Sequence, residues 1–233
     1  MQKAIFVISI FSMAASLLSC TAPQLKVPAD VLGLDAEQYV ATERKRGSGG
    51  FINESFRLGP YGIADVDRDW TKSKGFSIVG FSKSSSTSGY SYKFTTEAGD
   101  LAGRCMIEDS TKGMTLMKGI SMSGSVSKLA CTCEGASRKG EVVLDAGGDE
   151  KFAGTVRTTE GEFSITALYE VEGGFSKGNP TGYRVDQTSV IAAADVMYPG
   201  KVWLGKTLSD VNRDELSCLF AGLMLYTGKK DEY

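Results

Sequence analysis

No histidine occurs in the 233 residues of the chain. That excludes Ser-His-Asp and Cys-His nucleophile arrangements and every zinc site that needs an imidazole ligand. An excess of one charge is also lacking: 26 basic residues stand against 28 acidic ones, with the signs interspersed. Nothing here builds a nucleic-acid groove or a polybasic membrane patch. Proline is scarce, at 5, while glycine numbers 28, a balance suited to frequent turns between strands. Beyond residue 19 no apolar run approaches the roughly 20 residues that a membrane-spanning helix needs.

What is present begins at the N-terminus. Lys3 is the only charge before Cys20, and the run Ala4–Leu18 is uncharged. A basic start, a short apolar stretch and small residues at its end describe a secretory signal. Ordinary signals close on a small-x-small site. This one closes Leu17-Leu18-Ser19-Cys20, which resembles the bacterial lipobox. The resemblance implies cleavage before Cys20, a diacylglycerol on its sulfur and a fatty-acyl chain such as palmitate on its amine. Thr21 stands where an Asp resembles the inner-membrane retention signal of enteric bacteria, which points to the outer membrane. The expected division is a lipoprotein signal peptide over 1–19, a lipidated cysteine and tether over 20–50, and a folded domain over 51–233. Within the tether, Pro23 and Pro28 stiffen the start and "RGSGG" loosens the end. Between them "LDAEQYVATERKR" predicts a short helix, capped by Asp35 with Gln38 at the capping-box position.

From Phe51 to Leu204 apolar and polar residues alternate with period two, broken by glycine and serine. Candidate strands include "FINESFRL", "FSIVGFSK", "YSYKFTTE", "GRCMIED", "MTLMKG", "SKLACTCE", "EFSITALYEVE" and "KVWLG". About a dozen such strands predict an all-β barrel or sandwich. The character then changes. "SDVNRDELSCLFAGLMLYTGKK" predicts one strong helix over 213–227, with Asn212, Ser209 or Asp210 as its cap and Lys229 and Lys230 at its end. Leu219, Phe220, Leu223 and Met224 point in several directions, so this helix is apolar all round and must be buried all round. Its roughly 22 Å would cross the inside of a closed barrel. The expected fold is an all-β, closed antiparallel β-barrel of about twelve strands around a buried C-terminal apolar α-helix.

Cys105, Cys131, Cys133 and Cys218 follow Cys20. In an exported protein an even count reads as disulfides. Cys131 and Cys133 lie two apart on a strand, with Cα atoms about 6.6 Å apart on one face. A disulfide needs Cβ atoms within about 3.5–4.5 Å, so these two do not pair with each other. Cys105 is expected to pair with Cys131 or Cys133, and the remaining cysteine to reach Cys218 or stay a buried thiol. A soft-metal site on the Cys-x-Cys is the competing reading.

The stretch from Gly182 to Tyr226, three strands followed by an acidic helix start and an apolar helix, resembles the end of smaller members of the tubby C-terminal-like superfamily. That resemblance implies a roughly twelve-stranded barrel closed around such a helix. The basic cluster by which the family's eukaryotic members bind phosphoinositides has no counterpart here, so that activity is not carried over.

Three further motifs stand in the sequence. Asp65, Asp67 and Asp69 in "DVDRDWTKSKG" are spaced like a calcium loop, but Trp70 and Phe76 stand where an EF-hand needs Gly and Glu. Solvated charge is the favoured reading. Ser125 to Lys128 matches Ser-x-x-Lys of penicillin-recognising enzymes without the companion motifs or a helical setting. Ser82 to Tyr90 reads as a polar hairpin tip. The expectation is therefore a non-enzymatic lipoprotein of the bacterial envelope with a structural or binding role. It needs no cofactor, meets the membrane through Cys20 and binds no nucleic acid. A lipocalin-like carrier of an apolar ligand and a carboxylate-based enzyme are the rivals. Against the carrier stand the all-apolar helix and the lack of an early Gly-x-Trp.

Overall fold

The computed structural model describes residues 24–44, 55–68, 87–115, 121–146, 152–175 and 179–226. In chain order its elements are α1 (Ala29–Leu32), β1 (Ala36–Thr42), β2 (Phe56–Leu58), β3 (Tyr61–Asp67), β4 (Thr87–Thr96), β5 (Gly99–Thr115) and β6 (Ser121–Glu134). They continue with β7 (Lys139–Ala146), β8 (Ala153–Thr158), β9 (Gly161–Leu168), β10 (Glu170–Val171), β11 (Gly174–Phe175) and β12 (Gly182–Asp186). The last are β13 (Val190–Asp195), β14 (Lys201–Gly205) and α2 (Asp210–Leu225).

Twelve antiparallel strands close into a barrel in the order β1-β14-β13-β12-β9-β8-β7-β6-β5-β4-β3-β2, and β2 returns to β1. Closure joins β1 to β2, which would otherwise be the two edges of the sheet. The period-two pattern sends Tyr90, Tyr92 and Phe94 of β4, Val142 and Leu144 of β7, and Val202 and Leu204 of β14 to the buried side. They meet α2, which is buried from Asp214 to Leu225 and packs against β4–β8, β13 and β14. A helix with no polar face through its centre has no other stable position.

Small residues let the helix approach the wall. A Cβ built on Gly222 would lie 2.6 Å from the Tyr92 hydroxyl and 2.8 Å from Cys105 Sγ. At the β2–β3 turn Gly59 has φ +60, and a Cβ there would lie 2.4 Å from the Tyr39 ring.

The N-terminal part departs from expectation. The barrel starts at Ala36, not at Phe51, and "LDAEQYVATERKR" supplies β1 rather than a helix. Strand pairing overrides local helix preference here. Val40 faces Lys201 of β14 while Ala41 faces Leu58 of β2, so this segment closes the ring. Most of the supposed tether is therefore ordered. The described residues before β1 lie on the outer wall, where Val31, Val190, Ala193 and Trp203 form a second, small core.

Other boundaries differ less. "GRCMIED" and the first residues of "MTLMKG" belong to the one long strand β5. "EFSITALYEVE" breaks after Leu168, and its end forms the separate β10–β11 ribbon. Ser209 caps α2, accepting from the Asn212 N–H at 3.2 Å. "FSIVGFSK", Lys229 and Lys230 lie outside the described residues.

Enclosure on every side sets the prediction for α2. Leu219→Asp, Phe220→Asp and Leu223→Asp should each unfold the domain. An unpaired buried carboxylate costs about 3–5 kcal/mol, against a total stability of about 5–15. Thermal melting of the acyl-free domain checks this; a neutral position every third or fourth residue would mean that the helix lies outside the barrel.

Candidate functional site

α2 divides the molecule into two ends, one where the helix enters the barrel and one where it leaves. At the entry end the β8–β9 turn grips its first turns. The Thr158 hydroxyl donates to the Asn212 side-chain oxygen at 2.7 Å, and the Thr159 N–H donates to the fully buried Glu215 carboxylate at 2.7 Å. Arg138 pairs with Asp214, and Ser209 donates to Glu160. Arg213 pairs with Glu37 at 2.7 Å, and Glu37 accepts from the Tyr39 hydroxyl. Hydrogen bonds from Tyr39 and Arg213 hold the Glu37 carboxyl below its usual range. Burial, followed by that hydrogen bond to Glu37, pushes Tyr39 up to about 12.

At the exit end two guanidinium groups meet carbonyls that the last turn of any helix leaves unpaired. Arg44, just after β1, donates to the Met224 carbonyl at 2.5 Å and the Pro199 carbonyl at 2.9 Å. Arg68, just after β3, donates through both terminal nitrogens to the Leu225 carbonyl at 3.2 Å. Positive charge there also complements the negative end of the helix dipole. The sequence offers Lys229 and Lys230 for this part, and both lie outside the described residues. Arg44 and Arg68 are brought to the site only by barrel closure, so no local signal marks them.

Between the ends, the wall binds the middle of the helix. The Tyr90 hydroxyl donates to the Gly222 carbonyl and the Tyr92 hydroxyl to the Cys218 carbonyl, both at 2.8 Å. Burial raises both phenols well above their usual range. Cys105 and Cys131 are direct register partners on β5 and β6 and are disulfide-bonded. Cys133 is bonded to Cys218, which staples β6 to α2. The Cys-x-Cys is thus divided between two partners, and all four sulfurs are buried.

The sequence-level motifs fall elsewhere. Asp65 and Asp67 are exposed on β3, where Asp65 takes left-handed backbone (φ 53) at a register shift; Asp69 lies outside the described residues. Among the described residues no group of three metal-ligating side chains forms. Ser125 and Lys128 lie on β6, not at a helix start. Of the stretch 82–90, only 87–90 are described, and these belong to β4.

An outer cleft beside the helix entry is the candidate recognition surface. It is lined by Arg138, Lys139, Glu141, Arg157, Thr158 and Thr159, with the β6–β7 turn at its edge. Lys139 pairs with Glu134 at 3.6 Å and Arg157 with Glu162 at 2.6 Å. Glu141 Oε1 and Thr132 Oγ1, on register-paired residues, are buried without hydrogen-bond partners. Such a row of exchangeable Arg/Lys–carboxylate pairs can bind a polar partner that offers its own charged groups.

Comparison with known proteins finds no matching family model, no matching curated protein and no matching solved structure.

Two predictions follow from these contacts. Cys133→Ser with Cys218→Ser should cost about 4 kcal/mol, because the lost bridge closes a long loop in the unfolded chain; an unchanged denaturation midpoint would show that the staple contributes nothing. The second concerns Asp195, which accepts from the Met197 N–H at 2.9 Å. Burial raises its carboxyl from 3.8 to about 6, opposed by that bond and by Arg44. A raised carboxyl favours the fold at low pH, and that contribution is lost as pH rises through about 6. Asp195→Asn should therefore raise the melting temperature by a few degrees at pH 8 and leave it unchanged near pH 4. Equal effects at both pH values would refute the assignment.

Proposed function

We propose that this protein is a lipid-anchored component of a bacterial envelope, held through acylated Cys20 on the outer membrane, with a non-catalytic binding or structural role. Its architecture is similar to that implied by the resemblance to the tubby C-terminal-like superfamily. The observation that carries the reading is the placement of α2: helix side chains occupy the space where a carrier would hold its ligand. Recognition then falls to the outer surface, and the cleft beside the helix entry supplies one lined by charged and hydroxyl groups. The lipobox-like end of the leader supports the anchor. Several acyl chains, each buried methylene contributing about 0.8 kcal/mol, would hold the domain firmly on a membrane.

Intact-mass analysis of the membrane fraction should show loss of residues 1–19 and added acyl mass on Cys20, and Cys20→Ala should release the protein into the soluble fraction. A soluble, unacylated mature protein would sink the reading. Solvent extraction of the folded acyl-free domain should yield no stoichiometric apolar compound; a one-to-one ligand would make the protein a carrier.

A further inference from the structure

Where the chain enters the fold bears on how the barrel would sit on a membrane. Gln24 and Leu25 are tied to the β10–β11 ribbon: Leu25 bridges Val171, the Lys26 N–H donates to the Glu170 carbonyl, and the Glu172 N–H donates to the Gln24 carbonyl. That ribbon follows the end of β9. Hydrogen bonds from Thr181 to Leu168 and from Val196 to Thr181 join it to the residues that receive Arg44. Gln24 therefore lies at the helix-exit end. Only four peptide links separate it from Cys20, a reach of at most about 14 Å.

The same end carries a longer projection. Among the described residues, pairing of β4 with β5 reaches Thr87 opposite Glu108, and pairing of β6 with β7 reaches Ser127 opposite Ala146. Beyond these rungs β5 and β6 pair with each other as far as Met114 opposite Met122 and Thr115 opposite Ser121. Among the described residues no third strand joins them there. At about 3.4 Å per residue this arm extends roughly 20 Å past those rungs. Two of the three exposed large hydrophobic residues among those described, Val40 (47% exposed) and Tyr198 (43%), also lie at this end, beside Lys201. An aromatic ring with a polar tip beside a cation is the composition found where proteins meet lipid headgroups.

We propose that the helix-exit end is the membrane-facing end of the protein, and that the projecting part of β5–β6 lies on the bilayer surface as a second contact. The inference rests on acylation of Cys20. It goes further because the tether is shorter than the arm: a barrel held within about 14 Å of the headgroups cannot keep a roughly 20 Å projection clear of them. The occupant of this end is a phospholipid surface, and the helix-entry cleft points away from it.

Acetylation footprinting of the acylated protein on phosphatidylethanolamine–phosphatidylglycerol vesicles tests this, with the Cys20→Ala domain in solution as reference. Lys26, Tyr198 and Lys201 should react at least fivefold more slowly on vesicles, while Lys139 and Lys206 at the entry end keep their rates. Backbone amide exchange over 109–115 and 121–126 should slow in parallel. Equal rates at both ends in protein whose mass shows acylation would overturn the orientation and leave the anchor standing. Protection at Lys139 and Lys206 instead would reverse the orientation. A mature chain without acyl mass would overturn both readings, and mass analysis separates that outcome from the others.

Discussion

A twelve-stranded barrel encloses more volume than the side chains of its own wall fill, because diameter grows with strand number. An empty apolar space of that size would forfeit the dispersion contacts that close-packed interiors supply. α2 fills it, and the rest of the structure follows from that requirement. Cys105, Cys131, Cys133 and Gly140 are small where the wall meets the helix. Gly222 is small where the helix meets the Cys105–Cys131 bridge. The dependence is mutual: a helix with no polar face has no independent existence in water, and a wall this wide has no core without it.

Burying a helix inside a barrel creates a second requirement, since its termini carry unpaired backbone groups. The two ends meet it differently. The entry end uses local chemistry, with Ser209 as cap and the β8–β9 turn holding Asn212 and Glu215. The exit end borrows Arg44 and Arg68 from loops distant in sequence. Tyr90 adds a donor to the Gly222 carbonyl in the last turn, and Tyr92 one to the Cys218 carbonyl within the helix. Arg44, Arg68, Tyr90 and Tyr92 donate to helix carbonyls, and the buried Glu215 accepts from Thr159, so this polarity is part of the packing.

This division explains what could be read from the sequence. The barrel and α2 were legible because each rests on a periodic signal: alternation for the wall, and Leu219, Phe220, Leu223 and Met224 spread around the helix. The cysteines were half legible. Strand geometry keeps Cys131 and Cys133 apart, but only the fold selects Cys105 for one and Cys218 for the other. β1 was not legible, because "AEQYVAT" has residues that suit a helix and alternates weakly. Its strand state comes from the two neighbours that need a partner to close the ring. Arg44 and Arg68 gave no signal for the same reason: closure, not local sequence, brings them to α2. The outer cleft is likewise a product of register, which sets Thr132 opposite Glu141 and Glu141 opposite Arg157.

The filled interior also gives the molecule a direction. In a ligand-binding barrel the open mouth marks the functional end. Here helix chemistry separates the ends instead, and the chain's own course assigns them. The segment before β1 starts beside β10–β11 at the exit end and runs along the outer wall, where Asp30 meets Arg184 at 2.6 Å. It reaches the entry end where Asp35 meets Lys206 at 2.6 Å. Val31 and Trp203 seal this course against the wall. An attachment near residue 20 would thus act on the exit end, rather than through a long loose tether. On the proposed acylation, orientation on a membrane would follow from the same packing that completes the second core, and the ion-paired cleft at the entry end would face away from the bilayer.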